Sequence, residues 1–295
     1  MVKNYGQKMT WLLNLVIAFT HYACPADADA KELSVQIEQI TSGPKNHFFG
    51  YIGHSLTIPW NESGRYIVAL RTDFYKRMPE KGEAADVVLI DTKNNHEVRF
   101  LDRTYAWNLQ QGTMLYWNPD TPETQLFFND LDLETGVVFT VLFDIEKGHR
   151  LREYRFGNQS IANGGVAPAG KYFAGIDYGK ITRSRKVISY AGATDWTADG
   201  PANPADDGLF RIGIATGKRE LLISYRDLAV YLRVTDDQYP IYVRSPAIRT
   251  MRAGGDVRID PAPRWNRAND AILVPGIAKD DSRQLFIVRI PAVER

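Results

Sequence analysis

From Leu56 to Leu101 the chain sets short apolar runs between stretches of turn chemistry. Leu56–Pro59 leads into Trp60, a tight turn follows at Asn61–Gly64, and Tyr66–Leu70 is apolar throughout. A polar excursion comes next, then Val87–Ile90, a turn at Thr92–Asn95, and a closing run to Leu101. Runs of Val, Ile, Leu and Tyr bounded by Asn, Gly, Pro and Asp predict antiparallel strands rather than helices. Four strands in about 45 residues is the size of one β-propeller blade.

The same grammar recurs. Tyr105–Tyr154 predicts strands at Thr113–Trp117, Gln125–Asn129, Val137–Asp144 and Arg150–Tyr154, with turns at Asn118–Pro122 and Glu146–His149. A third unit starts at Ser160. Its turn at Val166–Lys171 corresponds to Trp60–Arg65, and its strands fall at Tyr172–Asp177, Gly208–Ile214 and Glu220–Ser224, interrupted by an insertion over 178–206. A last, compact unit opens with Pro263-Arg264-Trp265-Asn266-Arg267, which parallels Pro59-Trp60-Asn61. It continues with strands at Ala271–Val274 and Gln284–Ile290. The pattern thus predicts three whole blades and one partial blade. Glu32–Ile40 reads as a strand or a short helix. The irregular stretch 226–256 offers one strand pair at most, Val230–Val234 with Ile241–Val243. A closed propeller has about four to eight blades, so the expected fold is an all-β propeller of four-stranded antiparallel blades, incomplete or with fewer blades than usual. An open ring would expose sheet edges, which a second copy of the chain or another partner would cover.

Composition narrows the picture. The 295 residues, 44% of them hydrophobic, suffice for a full core, and a net charge of +1 from 36 basic and 35 acidic residues gives no electrostatic case for nucleic acid. Cys24 is the single cysteine, so no disulfide forms within the chain. Lys3 and Lys8, the apolar Trp11–Thr20 and Ala28-Asp29-Ala30 read as a signal peptide over 1–30, with one domain over 31–295. The expected location is secreted or periplasmic, with lipid anchoring through Cys24 as the alternative. Gly-x-Ser-x-Gly, P-loop, Rossmann, His-Glu-x-x-His, Cys-x-x-Cys and calcium-loop motifs are absent.

The phrases Tyr105-Ala106-Trp107-Asn108-Leu109-Gln110-Gln111-Gly112, Asn129-Asp130, Pro263–Arg267 and Arg283-Gln284-Leu285 resemble the seven-bladed propellers related to oligogalacturonate and ulvan lyases and, more distantly, TolB-type repeats. The resemblance covers about 45–225 and 256–290. It implies an exported protein that binds an acidic, uronate-containing polysaccharide or oligosaccharide and cleaves it by β-elimination. His or Tyr would act as acid or base, with Arg or a divalent cation, manganese or calcium, neutralising the carboxylate. Two departures count against turnover: Ala262 stands where such phrases often carry His, and blades are missing after Tyr225. The alternative is an inactive propeller serving as a glycan- or protein-binding scaffold.

β-Elimination requires a base beside a group that stabilises enolate-like charge. The candidate catalytic residues are His47 and His54, which flank the aromatic, glycine-containing His47–Ser55, together with Tyr190 and Arg183 in the insertion. The candidate sugar-binding residues are Trp107, Asn108, Gln110, Gln111, Asn129, Asp130 and Tyr178. Each also has a plain structural reading. The histidines would be satisfied inside the aromatic segment. Trp107 would pack between blades while the amides bind backbone, and Asn129 and Asp130 would form a turn. Arg183, Arg185 and their tyrosines would belong to a solvated basic loop. His96 and His149 read as surface residues in hairpin turns.

Overall fold

A computed structural model describes residues 36–49, 57–184, 188–201, 203–231, 264–268 and 270–289, all within one compact unit, Val35–Arg295. The expected signal peptide, Cys24, His54, Arg185, Ala262 and most of the 226–256 stretch lie outside the described residues.

The described residues form four four-stranded antiparallel sheets. The first contains β2 (Asn46–Phe48), β3 (Tyr66–Thr72), β4 (Ala85–Asp91) and β5 (Glu97–Thr104), in that order. The second contains β6 (Tyr116–Trp117), β7 (Gln125–Leu131), β8 (Val138–Asp144) and β9 (His149–Tyr154). The third contains β10 (Gln159–Val166), β11 (Tyr172–Asp177), β12 (Gly208–Gly213) and β13 (Arg219–Ser224). The fourth contains β14 (Arg264–Trp265), β15 (Ala271–Ile277) and β16 (Arg283–Arg289). β1 (Gln36–Gln39) pairs with β16 from Gln36↔Arg289 to Gln39↔Phe286.

That last pairing corrects the partial blade. The final unit is a whole sheet because the chain's beginning supplies its fourth strand, so the lead-in is a strand. The first unit also starts earlier than Leu56. Asn46–Phe48 pairs with Leu70–Thr72, and Trp60 bridges to Ile67 further along the same partner strand. Two short helices replace expected irregular or extended structure. α1 (Tyr178–Ser184) opens the insertion, and α2 (Tyr225–Tyr231) takes up the start of the stretch expected as a strand from Val230.

The repeated turns are hydrogen-bonded alike. Asn61 N donates to Tyr66 O, Asn118 N to Gln125 O, Ala167 N to Tyr172 O and Asn266 N to Ala271 O, at 2.8–3.0 Å. In the first three, a second N–H closes the turn onto residue 61, 118 or 167. The asparagines add side-chain bonds of their own. Asn61 Oδ1 accepts Tyr66 N at 2.8 Å and Asn266 Oδ1 accepts Ala271 N at 3.1 Å, which is why Asn suits the position. Gly64 closes the first turn at φ 71°, a conformation that side chains with a Cβ resist. Trp117-Asn118 opens its turn with the same Trp-Asn phrase as 60–61 and 265–266.

The unbroken apolar runs of β3 and β4 reflect burial on both faces. Ile67, Ala69, Val88 and Ile90 pack with Ala271, Leu273, Leu285 and Ile287 of the fourth sheet, and Val68, Leu70, Val87 and Leu89 join the core shared with the second. Phe127 meets Phe173 of the third sheet with ring centroids 6.3 Å apart. Aromatic donors tie neighbouring units together: Trp117 Nε1 reaches Pro59 O at 2.7 Å, and Tyr154 OH reaches Ile214 O at 2.8 Å.

Candidate ligand-binding site

Register in the first sheet lines up four ionisable residues. His47 on β2 is opposite Arg71 on β3, Arg71 is opposite Asp86 on β4, and Asp86 is opposite Arg103 on β5. Directly opposed residues on neighbouring strands carry their side chains on the same face. The Asp86 carboxylate lies between the two guanidiniums, with Arg71 Nη2 at 2.9 Å from Oδ2 and Arg103 Nε at 3.4 Å from Oδ1. Two arginines against one aspartate leave the row net positive when His47 is neutral.

Neighbouring bonds fix the tautomer of His47. Gln284 Nε2 donates to Lys45 O and to Ser282 Oγ, both at 2.8 Å, so the amide oxygen faces His47 Nδ1 at 2.9 Å. Nδ1 therefore carries the proton and Nε2 the lone pair. Burial lowers the pKa of His47 from its usual value. The Gln284 hydrogen bond opposes that shift, and the Arg71 charge adds to it. At neutral pH the imidazole is an uncharged base beside a cation.

His47 and Arg71 line a cavity of about 580 Å3 with Lys45, Glu38 and His96, in the size range of small-ligand sites. Lys45 reaches Asp73 at the surface. His96, expected as a surface residue, has its Nδ1 3.5 Å from Glu38 Oε1 and is largely covered. Lys45, Arg71 and the two histidines against Glu38 make a lining suited to a carboxylate. Arg71, Lys45 and Gln284 did not stand out in the sequence. The available signal was Arg71 as a charged residue at the end of an apolar strand, and nothing local marks its register with His47.

Most of the other candidates meet elsewhere, in a sealed polar knot where the second and third sheets meet the insertion. Asn129 is fully buried, and its Nδ2 donates to Ile161 O at 2.8 Å and to Tyr190 OH at 3.2 Å. Its Oδ1 accepts Thr140 Oγ1 at 2.9 Å, and its carbonyl accepts the hydroxyls of Thr104 and Thr113. Tyr190 and Tyr178 are buried and stacked with centroids 4.4 Å apart, and Tyr178 OH bonds Ile161 O at 3.1 Å. Burial pushes the Tyr190 hydroxyl up to about 12, against its bond with Asn129. Asp130 caps Tyr105 N and Leu131 N and pairs with Arg150 at 2.8 Å. Burial raises its pKa against those partners.

Trp107 has no solvent exposure, and its Nε1 donates to Glu83 O at 2.7 Å. Asn108 is equally buried, with Nδ2 on Ser189 O and Oδ1 accepting the N–H groups of Gln110 and Gln111. Gln111 is buried, while Gln110 is partly exposed. Arg183 turns to Asp195 Oδ2 at 3.1 Å and to Ala198 O, within the insertion. Trp107 and Asn108 thus have the packing and backbone partners of their structural reading, whereas Asn129 and Asp130 lie within β7 rather than in a turn, and Tyr178 and Tyr190 are buried rather than part of a solvated loop.

No protein-family model and no curated protein matches the chain. Among solved structures, the chain is similar to an oligogalacturonate lyase in complex with manganese, at 10% identity and a TM-score of 0.28, over 79% of this chain and 64% of that one. An oligogalacturonate lyase from Vibrio parahaemolyticus aligns with the same identity and TM-score, over 79% of this chain and 65% of the other. The alignments span just under two thirds of those proteins' length. Among the described residues, no group of three or more His, Cys, Asp or Glu could hold a metal ion. The manganese or calcium implied by the resemblance therefore has no donor set among them.

Proposed function

We propose that the protein binds an acidic, uronate-containing glycan in the cavity lined by His47 and Arg71 and cleaves it there by β-elimination. The observation that carries this reading is the cross-strand placement of an uncharged imidazole, protonated at Nδ1, beside Arg71. Arg71 and Lys45 take the uronate carboxylate, and their charge favours the enolate-like electron density that builds up as the α proton leaves. His47 Nε2 takes that proton. The bond from the β carbon to the glycosidic oxygen then breaks, the electron pair at the α carbon becomes the double bond of the unsaturated uronate, and the departing oxygen takes a proton from water. Gln284 holds the imidazole in its base tautomer.

The test is incubation of the full chain with oligogalacturonate and ulvan, reading the ultraviolet absorbance of the unsaturated product. Saturable product formation that His47→Gln removes supports the reading. Absence of product across a panel of uronate polymers, with and without manganese or calcium, rejects turnover. A second reading, an acidic-glycan-binding scaffold without turnover, is favoured by the 4% exposure of His47 and the commitment of Arg71 to Asp86. Arg71-dependent binding of oligogalacturonate without product would establish it.

A further inference from the structure

The cavity that holds His47 extends well beyond the groups that act on a single uronate. His47, Arg71 and Asp86 share one cross-strand row at the start of β4, whereas Asn95 and His96 lie in the turn that follows Asp91 at its end. The five residues from Asp86 to Asp91 cover about 17 Å of strand. Both ends line the same cavity of about 580 Å3, which is therefore a groove drawn out along the first sheet. Residues 38–45 line it as well, with Glu38 beside His96 and Lys45 two residues from His47. Between the two ends the lining, residues 39–44 and Val98, is uncharged.

The far end is built rather than left over. Glu38 stands between Arg289 Nη2 at 3.6 Å and His96 Nδ1 at 3.5 Å, so its charge is met and the imidazole is oriented. Among the described residues, His96 Nε2 and the Asn95 amide have no hydrogen-bond partner. The backbone is left-handed at both positions, with φ 50° at Asn95 and 55° at His96. Side chains with a Cβ resist that conformation. Successive residues of positive φ in hairpin turns favour Asn followed by Gly, and here a histidine stands in the second place.

One uronate held by Arg71 and Lys45 does not reach Asn95 and His96, but a chain of sugars does. Sugar hydroxyls both donate and accept. They suit an imidazole nitrogen, an amide and a carboxylate whose charge is already offset. We infer that the groove takes an oligosaccharide lengthwise, and that Asn95 and His96 form a distal subsite that favours ligands longer than one sugar. The inference rests on the acidic-glycan reading of the His47 end. It adds two specificity-determining residues, which lie too far from His47 to share in the proton transfer.

The test is calorimetric titration with galacturonate and with trigalacturonate, using the full chain carrying His47→Gln so that no ligand is consumed. Trigalacturonate should bind at least tenfold more tightly than galacturonate, above the gain of about threefold that the number of uronates alone supplies. His96→Ala should bring the ratio down to about threefold. Asn95→Gly, which relieves the turn and should raise the Tm, should lower the ratio about threefold, so loss of folding does not explain its effect. Neither change should alter the affinity for galacturonate. If His96 only pins the turn to Glu38, His96→Ala lowers the Tm and leaves the ratio as it was, which overturns the inference. Galacturonate binding that depends on Arg71 with no gain for the trimer removes the distal subsite and leaves the acidic-glycan reading standing. If neither ligand binds, both fall.

Discussion

His47 and Asn129 are both polar, both nearly or fully buried, and both sit on strands of neighbouring sheets, yet their surroundings put them to different uses. Asn129 spends its side chain and its carbonyl on five internal partners from three strands, a threonine ahead of β6 and the insertion, and no part of it reaches solvent. His47 spends one ring nitrogen on Gln284, keeps the lone pair of the other, and lines a cavity whose other charges are mostly positive. A polar side chain whose bonding capacity is filled internally joins parts of the fold. One with spare capacity beside a cavity and an unlike charge is equipped for chemistry. Burial alone does not separate them.

The largest expected effect is on turnover. His47→Gln should lower the rate of unsaturated-product formation about 10²–10⁴-fold, the usual contribution of a general base, while changing oligogalacturonate affinity little. Equal losses in rate and affinity would instead make His47 a packing residue like Asn129.

Asn129→Ala attacks the other side of the comparison. It strips the partners of Thr140, Ile161 and Tyr190 in a buried network and should destabilise the fold by about 3 kcal/mol in denaturant melts. The protein that remains folded should bind oligogalacturonate with unchanged affinity. Lost binding at unchanged stability would move the site to the knot.

Arg71→Met should weaken oligogalacturonate binding about tenfold or more, near 1.5–3 kcal/mol for a charged hydrogen bond, with a smaller effect on folding because Asp86 keeps Arg103. Affinity that falls with added salt in the parent and becomes flatter in the variant would sharpen the assignment.

The smallest effect is on pH dependence. The folded-state pKa of His47 lies below the free value of 6.5, so the unfolded chain takes up a proton first as pH falls. The stability contributed by neutral His47 is present above about pH 6.5 and is lost as pH falls toward the folded-state pKa. Melts of His47→Gln should show a shallower acid slope than the parent. Parallel slopes would mean that the imidazole titrates as if it were exposed.

Much of the blade architecture was legible because its signals are local. Strand positions in the second and third units follow from apolar runs bounded by Asn, Pro and Gly, and the turns after Trp60, Trp117 and Val166 repeat one hydrogen-bond pattern. The fourth strand of the last sheet was not legible, because Gln36–Gln39 finds Phe286–Arg289 across almost the whole chain and nothing local marks that pairing. The knot was read as candidate sugar contacts for a related reason. Trp107, Asn108, Asn129 and Tyr190 have the right chemistry for a sugar, and composition does not say whether such groups face a cavity or each other.

The order of residues fixed where strands begin and stop and which turns join them, because φ/ψ preference and side-chain period act over a few neighbours. It also supplied His47. The tertiary structure decided that Arg71 stands opposite that histidine, that Gln284, 237 residues away in sequence, sets its tautomer, and that Asn129 is enclosed. Each of these depends on strand register and on packing between sheets, which many distant contacts settle together.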